Sequence, residues 1–567
     1  MIFRTAYDLS GCAKPMRRLW ISSMEDEAIK EGFAALKDGS DYDGLHQSAL
    51  CRAKADWLVG INATRLFSLL YNHTLNVGRV LSPTLALIVE REAEISAFRP
   101  VPFYTVSLDC GFTATGERIA EKPEAEAVAA ACKGQKATLQ AVEQKERTEK
   151  PPALYDLTTL QRDANRTLGY TAQQTLDYLQ ALYDKKLSTY PRTDSRYLTD
   201  DMEAGVPALV EAAASICGVT APETVLAGQV CDSARVSDHH AVVPTASAGK
   251  ADLEALPIGE REILRLVSLG LLRAVCPPCR SAETCITAVC GGDPYTVKWR
   301  SVLSPGWKVY AQTADAEAGS GPDGLTEGQT LPVAAAQVKS GKTTPPKHHT
   351  EDSLLSAMEM AGKEDMPEDA ERQGIGTPAT RAAILEKLVS AGFVERKRAK
   401  KTVSLLPTPL GTALITVLPE QLQSPTLTAE WEHRLKEVER GTLAPGDFMD
   451  EIAAMLRELV ETCRPVEGSA VLFPSTREAV GRCPRCGGTV TEGRQGFFCE
   501  NRACGFAIWK NSKWWENKKK TPTKAIVAAL LKDGRTQISG LWSEKTGKTY
   551  TATVALTDDG TRASFRL

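Results

Sequence analysis

Apolar residues at helical spacing alternate along this chain with stretches in which apolar and polar residues trade places one by one. "ALCRAKADWLVGINATRLFSLLYN" (49–72) predicts a long helix with Leu50, Trp57, Leu58 and Ile61 near one face. Ahead of it, residues 1–22 predict a short helix and a strand in "RRLWIS". Ser23 with Asp26 reads as a capping box opening a helix through "EDEAIKEGFAAL". Residues 100–150 predict strands with one helix, and 155–215 return to helix. Strands come back over 280–340 ("PYTVKWRSVL", "GWKVYAQT") around a Gly-rich loop, "EAGSGPDG". Residues 350–460 are helical again, and "RPVEGSAVLFPSTREAVG" reads as a linker. This α–β–α–β–α order predicts a multidomain, mixed α/β chain whose modules are inserted into one another. Chain neighbours then need not be spatial neighbours.

The 567 residues exceed what one core organises. With 43% hydrophobic and 25% charged residues the composition is that of an ordinary globular protein. No apolar run approaches the roughly 20 residues of a membrane span, and the N-terminus lacks a signal-peptide pattern, so the expected location is cytoplasmic. The net charge of −3 gives no global support to a polyanion partner, but binding needs only a local basic surface. Fifteen scattered cysteines argue against a disulfide framework.

One cysteine cluster has metal spacing. In "CPRCGGTVTEGRQGFFCENRACG", Cys483 and Cys486 form one knuckle and Cys499 and Cys504 a second. Four thiolates suit a closed, tetrahedral, structural Zn²⁺ site. Cys276, Cys279, Cys285 and Cys290 read instead as buried thiols, because "CITAVC" alternates as a strand. "VKSGKTT" resembles a phosphate loop, but the required first glycine is Ala336, so no ATP site is expected.

The remaining chemistry gathers in short polar motifs. In "LSTYPRTDSRYLT" Pro191 sets the backbone between Tyr190 and Arg192. A phenol with a pKa of about 10 is a poor nucleophile unless its anion is stabilised, and a forked arginine can stabilise charge on a phosphate. In "SDHHAVVPT", His239 or His240 could hold a phosphate or move a proton. The bland alternative for both stretches is a polar surface loop. "GIGTPATRAAILEKL" predicts a helix capped by Thr377 with Pro378 first, which puts Thr380 and Arg381 at its positive end. "ERKRAKKTVSLL" follows as a basic hairpin, and "NVGRVLSPTLALIVERE" offers a second phosphate-type N-terminus. Near the C-terminus Trp509, Trp514 and Trp515 interleave with Lys510, Lys513 and Lys518 to Lys520, either as a single-strand platform or as a zinc-module core with a lysine tail.

Taken together, seven ordered segments resemble a type IA DNA topoisomerase of the bacterial topoisomerase III group: "RLWISSMEDEAIKEGF", "RAKADWLVGINATR", "GRVLSPTLALIVEREAEI", "YPRTDS", "SDHHAVVPT", "TPPKHHTEDSLLSAME" and "GIGTPATRAAILEKL". The resemblance implies an arch of interleaved domains: a remnant of a Toprim domain (1–22), a DNA-binding domain (23–95 and 343–464), a gate (96–149 and 273–342) and a tyrosine domain (150–272). A linker (465–480), a zinc ribbon (481–511) and a small C-terminal module (512–567) would follow. It implies ATP-independent cleavage of one DNA strand by Tyr190 through a 5′-phosphotyrosine, strand passage and religation. Arg192 and His239 would assist, and Arg52, Asn76, Val77, Gly78, Arg79, Val80, Leu81, Ser82, Thr193, Asp194, Thr380 and Arg381 would contact DNA. Leu81 departs from the family's frequent glutamine. The Toprim acids that would hold Mg²⁺ have no counterpart in this sequence, which begins within that domain's tail, so cleavage is expected to be impaired. The alternative is a non-catalytic protein that binds single strands. Expected partners are single-stranded DNA, underwound duplex and a helicase, with the protein a monomer on the nucleoid. Tyrosine recombinases and relaxases fit less well: "HHAVV" lacks the arginine of a His-x-x-Arg element, and the two histidines are adjacent.

Overall fold

The computed structural model describes residues 2–21, 26–311, 322, 324–362, 374–400, 402–473, 478–501 and 504–567. The capping residue expected at Ser23 and most of the Gly-rich loop fall outside these. The chain divides into two compact units, Met1–Ser469 and Ala470–Leu567.

The first unit starts with α1 (Ile2–Leu9), β1 (Arg17–Arg18), α2 (Asp26–Ala34) and β2 (Lys37–Asp38), followed by the long helices α3 (Asp43–Tyr71) and α4 (Leu81–Ala97). Strands β3 (Pro102–Asp109), β4 (Thr113–Gly116) and β5 (Lys136–Glu149), with α5 (Lys122–Cys132) between, belong to the same sheet as β6 (Cys279–Cys290), β7 (Asp293–Ser304), β8 (Thr330–Pro332) and β9 (Ala335–Lys342). Its seven strands run in the order β8-β5-β6-β7-β4-β3-β9. Distant segments thus share one core, in which Val106, Leu108, Ala137 and Leu139 meet Ile286, Ala288 and Tyr295.

Between β5 and β6 lies a helical module: α6 (Leu157–Leu168), α7 (Ala172–Asp184), α8 (Val206–Cys217) and α9 (Ile258–Ala274). Asp156 and Thr171 open α6 and α7 with reciprocal capping boxes. After the sheet come α10 (Glu351–Met360), α11 (Pro378–Ser390), the hairpin β10 (Val394–Ala399) and β11 (Thr402–Pro407), and α12 (Pro409–Val417), α13 (Glu420–Gln423), α14 (Thr426–Glu439) and α15 (Pro445–Thr462).

Helix α3 buries a different face. Its buried residues are Cys51, Ala55, Val59, Ala63, Phe67 and Tyr71, whereas Trp57 is 64% exposed and Ile61 39%. Small side chains let α14 and α15 pack against it closely. A Cβ at Gly44 would lie 2.1 Å from the Glu439 carbonyl oxygen. Close packing of backbones outweighs burial of the larger residues on the opposite face.

The second unit holds α16 (Ser469–Leu472), a four-stranded sheet of β12 (Ala479–Arg482), β13 (Thr489–Glu492), β14 (Gly496–Cys499) and β15 (Ala507–Trp509), then α17 (Lys513–Asn517), α18 (Lys524–Asp533) and a three-stranded sheet of β16 (Arg535–Ser543), β17 (Lys548–Asp558) and β18 (Ala563–Arg566). One core draws Val490, Phe497 and Phe506 together with Val527, Leu530, Ile538, Leu541 and Phe565. Trp515 is fully buried within it and Trp514 packs against it, so of the three tryptophans only Trp509 offers an open face.

Candidate DNA-cleavage site and cysteine cluster

The Tyr190 loop is laced to the histidine loop through its backbone. Thr189 N–H donates to the Val243 carbonyl (3.0 Å), and the Thr189 hydroxyl donates to the Ala241 carbonyl (3.1 Å) and accepts from Val243 N–H (3.0 Å). The buried Thr193 hydroxyl donates to the His239 carbonyl (2.7 Å), and Ser237 donates to Asp194 (2.7 Å). The result places the Tyr190 and His239 rings 4.3 Å apart. Both rings remain half-buried, and the Arg192 side chain is exposed. The ring contact of Tyr190 is with His239; His240 Nδ1 lies 2.9 Å from the Ala241 carbonyl.

Helix α7 supports the loop with two residues that sequence reasoning missed. Gln180 accepts a hydrogen bond from Arg192, and the Tyr183 ring stands edge-on to Tyr190 at 5.5 Å. Their spacing on one face of α7, just upstream of the motif, was the available signal.

Thr377 caps α11 as expected, and the cap consumes Thr380: Thr377 N–H donates to the Thr380 hydroxyl (2.9 Å). Arg381 is 2% exposed and reaches Thr158 on α6 (3.0 Å). From there Leu157 N–H bonds the Thr193 carbonyl (3.1 Å), so the start of α11 and the tyrosine loop are linked by a short relay. Gly376, at φ +70, abuts the 76–82 loop; a Cβ there would be 3.3 Å from Val80 Cγ1.

The 76–82 loop runs back along α3, bonded at Val77 to the Thr64 hydroxyl (2.9 Å). Arg79 forks onto Asp56 (2.8 and 3.2 Å), lies 4.7 Å over the Trp431 ring and sits 3.9 Å from Glu432. Arg52 pairs with the same Glu432 at 2.5 Å. Arg52, Arg79 and Arg381 are all buried, so in this conformation they shape the surface rather than present a guanidinium to it. Leu81 and Ser82 are buried as well, which accounts for an apolar residue at 81; Asn76 is half-buried.

Nearby, α10 packs on α6 and α7 through Glu351, which accepts from Ala172 N–H (2.6 Å) and from Arg396 (2.9 Å). His349, just ahead of α10, is buried, and burial followed by the Arg91 charge pushes its pKa from 6.5 down to about 4.

In the second unit the Sγ atoms of Cys483, Cys486, Cys499 and Cys504 lie within 4.8 Å of one another. Cys483 and Cys504 are 3.6 Å apart and Cys486 and Cys499 3.5 Å. Tetrahedral zinc with bonds of about 2.3 Å calls for sulfur separations of about 3.8 Å, so the cluster fits that ion. Gly488 leaves the room: a Cβ would stand 3.3 Å from Cys486 Sγ. Cys276, Cys279 and Cys290 are buried and Cys285 half-buried in or beside β6. Among the described residues no helix is long and apolar enough to cross a membrane.

Comparison with known proteins shows the family. A family profile described as DNA topoisomerase matches residues 40–450. The chain is 36% identical over 543 residues to DNA topoisomerase 3 of Bacillus subtilis, covering 89% of this chain and 73% of that one. It is 35% identical to DNA topoisomerase 3 of Shouchella clausii, covering 92% and 75%. Among solved structures, full-length topoisomerase I from Thermotoga maritima superposes with a TM-score of 0.63 at 22% identity, over 88% of this chain and 82% of that one. Fold and sequence together define a type IA DNA topoisomerase. The chain belongs to that family, within its bacterial topoisomerase III group.

Proposed function

We propose that this protein changes DNA topology by ATP-independent cleavage, passage and resealing of a single strand, with Tyr190 as nucleophile. The phenolic oxygen forms a bond to a backbone phosphorus while the bond from phosphorus to the 3′ oxygen breaks. The 3′ end leaves as a hydroxyl and the 5′ phosphate stays on Tyr190. Religation is the reverse attack, so bond energy is conserved and no nucleotide is consumed. Arg192 stabilises charge on the phosphate, and His239 holds that phosphate or carries a proton. The observation that carries the reading is the convergence of Tyr190 and His239 on a laced loop whose Arg192 end group faces outward. Thr193 and Asp194 keep the loop's shape, and residues 76–82 with Thr380 line the path of the strand. The substrates would be single-stranded DNA and underwound duplex, bound by a monomer on the nucleoid, with a helicase supplying the unwound strand.

Zn²⁺ held by Cys483, Cys486, Cys499 and Cys504 would supply structure alone, since four thiolates leave no open position. Mg²⁺ is different. Among the described residues the four cysteines are the group whose ligand atoms converge, and no three acidic side chains do so beside Tyr190. The described residues do not fit an Mg²⁺ site, so no step is derived through one. The same observation favours a second reading, single-strand binding without cleavage. Oligonucleotides labelled at the 5′ or 3′ end and incubated with Mg²⁺ separate the two. A covalent adduct carrying only the 3′-labelled fragment, lost in Tyr190→Phe, supports the nuclease-ligase cycle. Retention of both labels in free DNA supports the binding reading.

A further inference from the structure

The four cysteines of the cluster lie within 483–504, yet the packing around them reaches far downstream. Cys483 and Cys499 share one core with Val527 of α18 and with Ile538, Val554 and Phe565 of the last three strands. A Cβ at Gly481 of β12 would stand 2.9 Å from Leu531 Cβ, so α18 seats directly on the strand that leads into the first knuckle. One polar contact ties this packing to the cluster. Arg485 stands between Cys483 and Cys486 in the sequence. Its Nη1 donates to the Cys504 carbonyl (3.3 Å), which bridges the first knuckle to the second. Its Nε and Nη2 fork onto the two carboxylate oxygens of Asp558, at the end of β17 (2.5 and 2.6 Å). The two side chains are only 14% and 13% exposed, and the guanidinium lies 5.6 Å from the Phe506 ring centroid.

A forked pair in such an enclosed place holds its geometry, unlike the more open Lys510–Glu492 pair on the same sheet. Four thiolates outnumber the two charges of Zn²⁺, and a cation fixed at the knuckle offsets part of that excess. We propose that Arg485 and Asp558 lock the metal site. The carboxylate comes from a strand that supplies no ligand. It fixes the guanidinium that ties the two knuckles together, so retention of Zn²⁺ depends on the C-terminal sheet. Both are positioning residues and neither touches the metal. This rests on the reading that Zn²⁺ fills the four-cysteine cluster.

The test is the rate at which the full, zinc-loaded chain gives up its metal to the chromophoric chelator pyridylazoresorcinol, followed by absorbance. Asp558→Ala and Arg485→Ala should each speed release at least about tenfold, the size of effect on metal retention that partners of metal ligands carry. The double variant should be no faster than the more affected single one, because the two residues act as one pair. Asp558→Glu keeps a two-oxygen acceptor and should recover most of the retention. Glu492→Ala breaks the open pair with Lys510 and should release zinc at the wild-type rate. Hydrogen exchange on the zinc-loaded proteins separates positioning from folding: residues 535–566 should be as protected in Asp558→Ala as in wild type. Loss of that protection before zinc leaves, equal acceleration by Glu492→Ala, or wild-type release from Asp558→Ala each overturns the lock while the zinc reading stands. A wild-type chain that carries no zinc overturns both.

Discussion

The Tyr190 loop and the 76–82 loop solve opposite problems with similar residues. Around Tyr190 the hydrogen bonds are spent on backbone and on short hydroxyls such as Thr189 and Thr193. The reactive ends of Tyr190 and Arg192 stay half-buried or exposed. In the 76–82 loop the end group itself is consumed: Arg79 is clamped by Asp56, Trp431 and Glu432. The Tyr190 loop leaves the Arg192 end group exposed, whereas the 76–82 loop, pinned also through its Val77 backbone, buries the Arg79 end group. Any contact between Arg79 and a phosphate would have to displace Asp56 first. The cysteine cluster carries the second strategy furthest, because its four thiol end groups converge within 4.8 Å of one another.

That contrast can be broken at several points. The largest effect should come from the metal. One zinc per chain is expected on elemental analysis, and a strong chelator should expose the 479–509 sheet to protease while leaving the first unit's thermal transition in place. A metal-free protein with a protected sheet would contradict the fit. Next comes Glu432→Ala, which leaves Arg52 and Arg79 buried with one carboxylate fewer. A loss of about 3–5 kcal/mol in urea unfolding is expected.

Acidification probes a buried group that carries no charge. The folded-state pKa of His349 lies below its ordinary value, so the unfolded chain takes up the proton first. Its contribution is fully present above pH 6.5 and is lost as pH falls from there towards about 4. The loss should be on the order of 2–3 kcal/mol, and His349→Gln should flatten that part of the stability profile. Thr193→Val should cost less, about 1–3 kcal/mol, by orphaning the His239 carbonyl and Ser195 N–H. Smallest is Arg192→Ala, expected within about 0.5 kcal/mol of wild type in stability. Equal destabilisation by Arg192→Ala and Glu432→Ala would erase the distinction between the loops.

Legibility in the sequence followed the range of the interactions. The Thr377 cap, the 394–407 hairpin and the paired cysteines are local patterns, and each has its counterpart in the structure. The contact between Tyr190 and His239 joined two motifs that could be seen separately but not measured apart. The buried face of α3 was not legible because the large apolar residues mark another one, while the contact is made by Cys51, Ala55, Val59 and Ala63. The sequence left Trp515 open between a platform and a core because its partners Phe565 and Val527 lie downstream in elements with no motif of their own. Nothing near Arg79 in sequence announces Glu432, more than 350 residues away, as its neighbour.

The seven-stranded sheet also bears on how this chain reaches its fold. Strand β5 ends at Glu149, β6 begins at Cys279, and these two residues are register partners. The whole tyrosine module therefore hangs between points about 5 Å apart. If residues 150–278 fold first, they bring the two strand ends together themselves, and the sheet no longer bears the entropy of closing so long a loop. The other long-range pairings of the sheet are β4 with β7, β5 with β8 and, spanning the most sequence, β3 with β9. Chain synthesis would then proceed with a finished module waiting for the last edge strand, so refolding should be slowed more by weakening the module than by weakening β9.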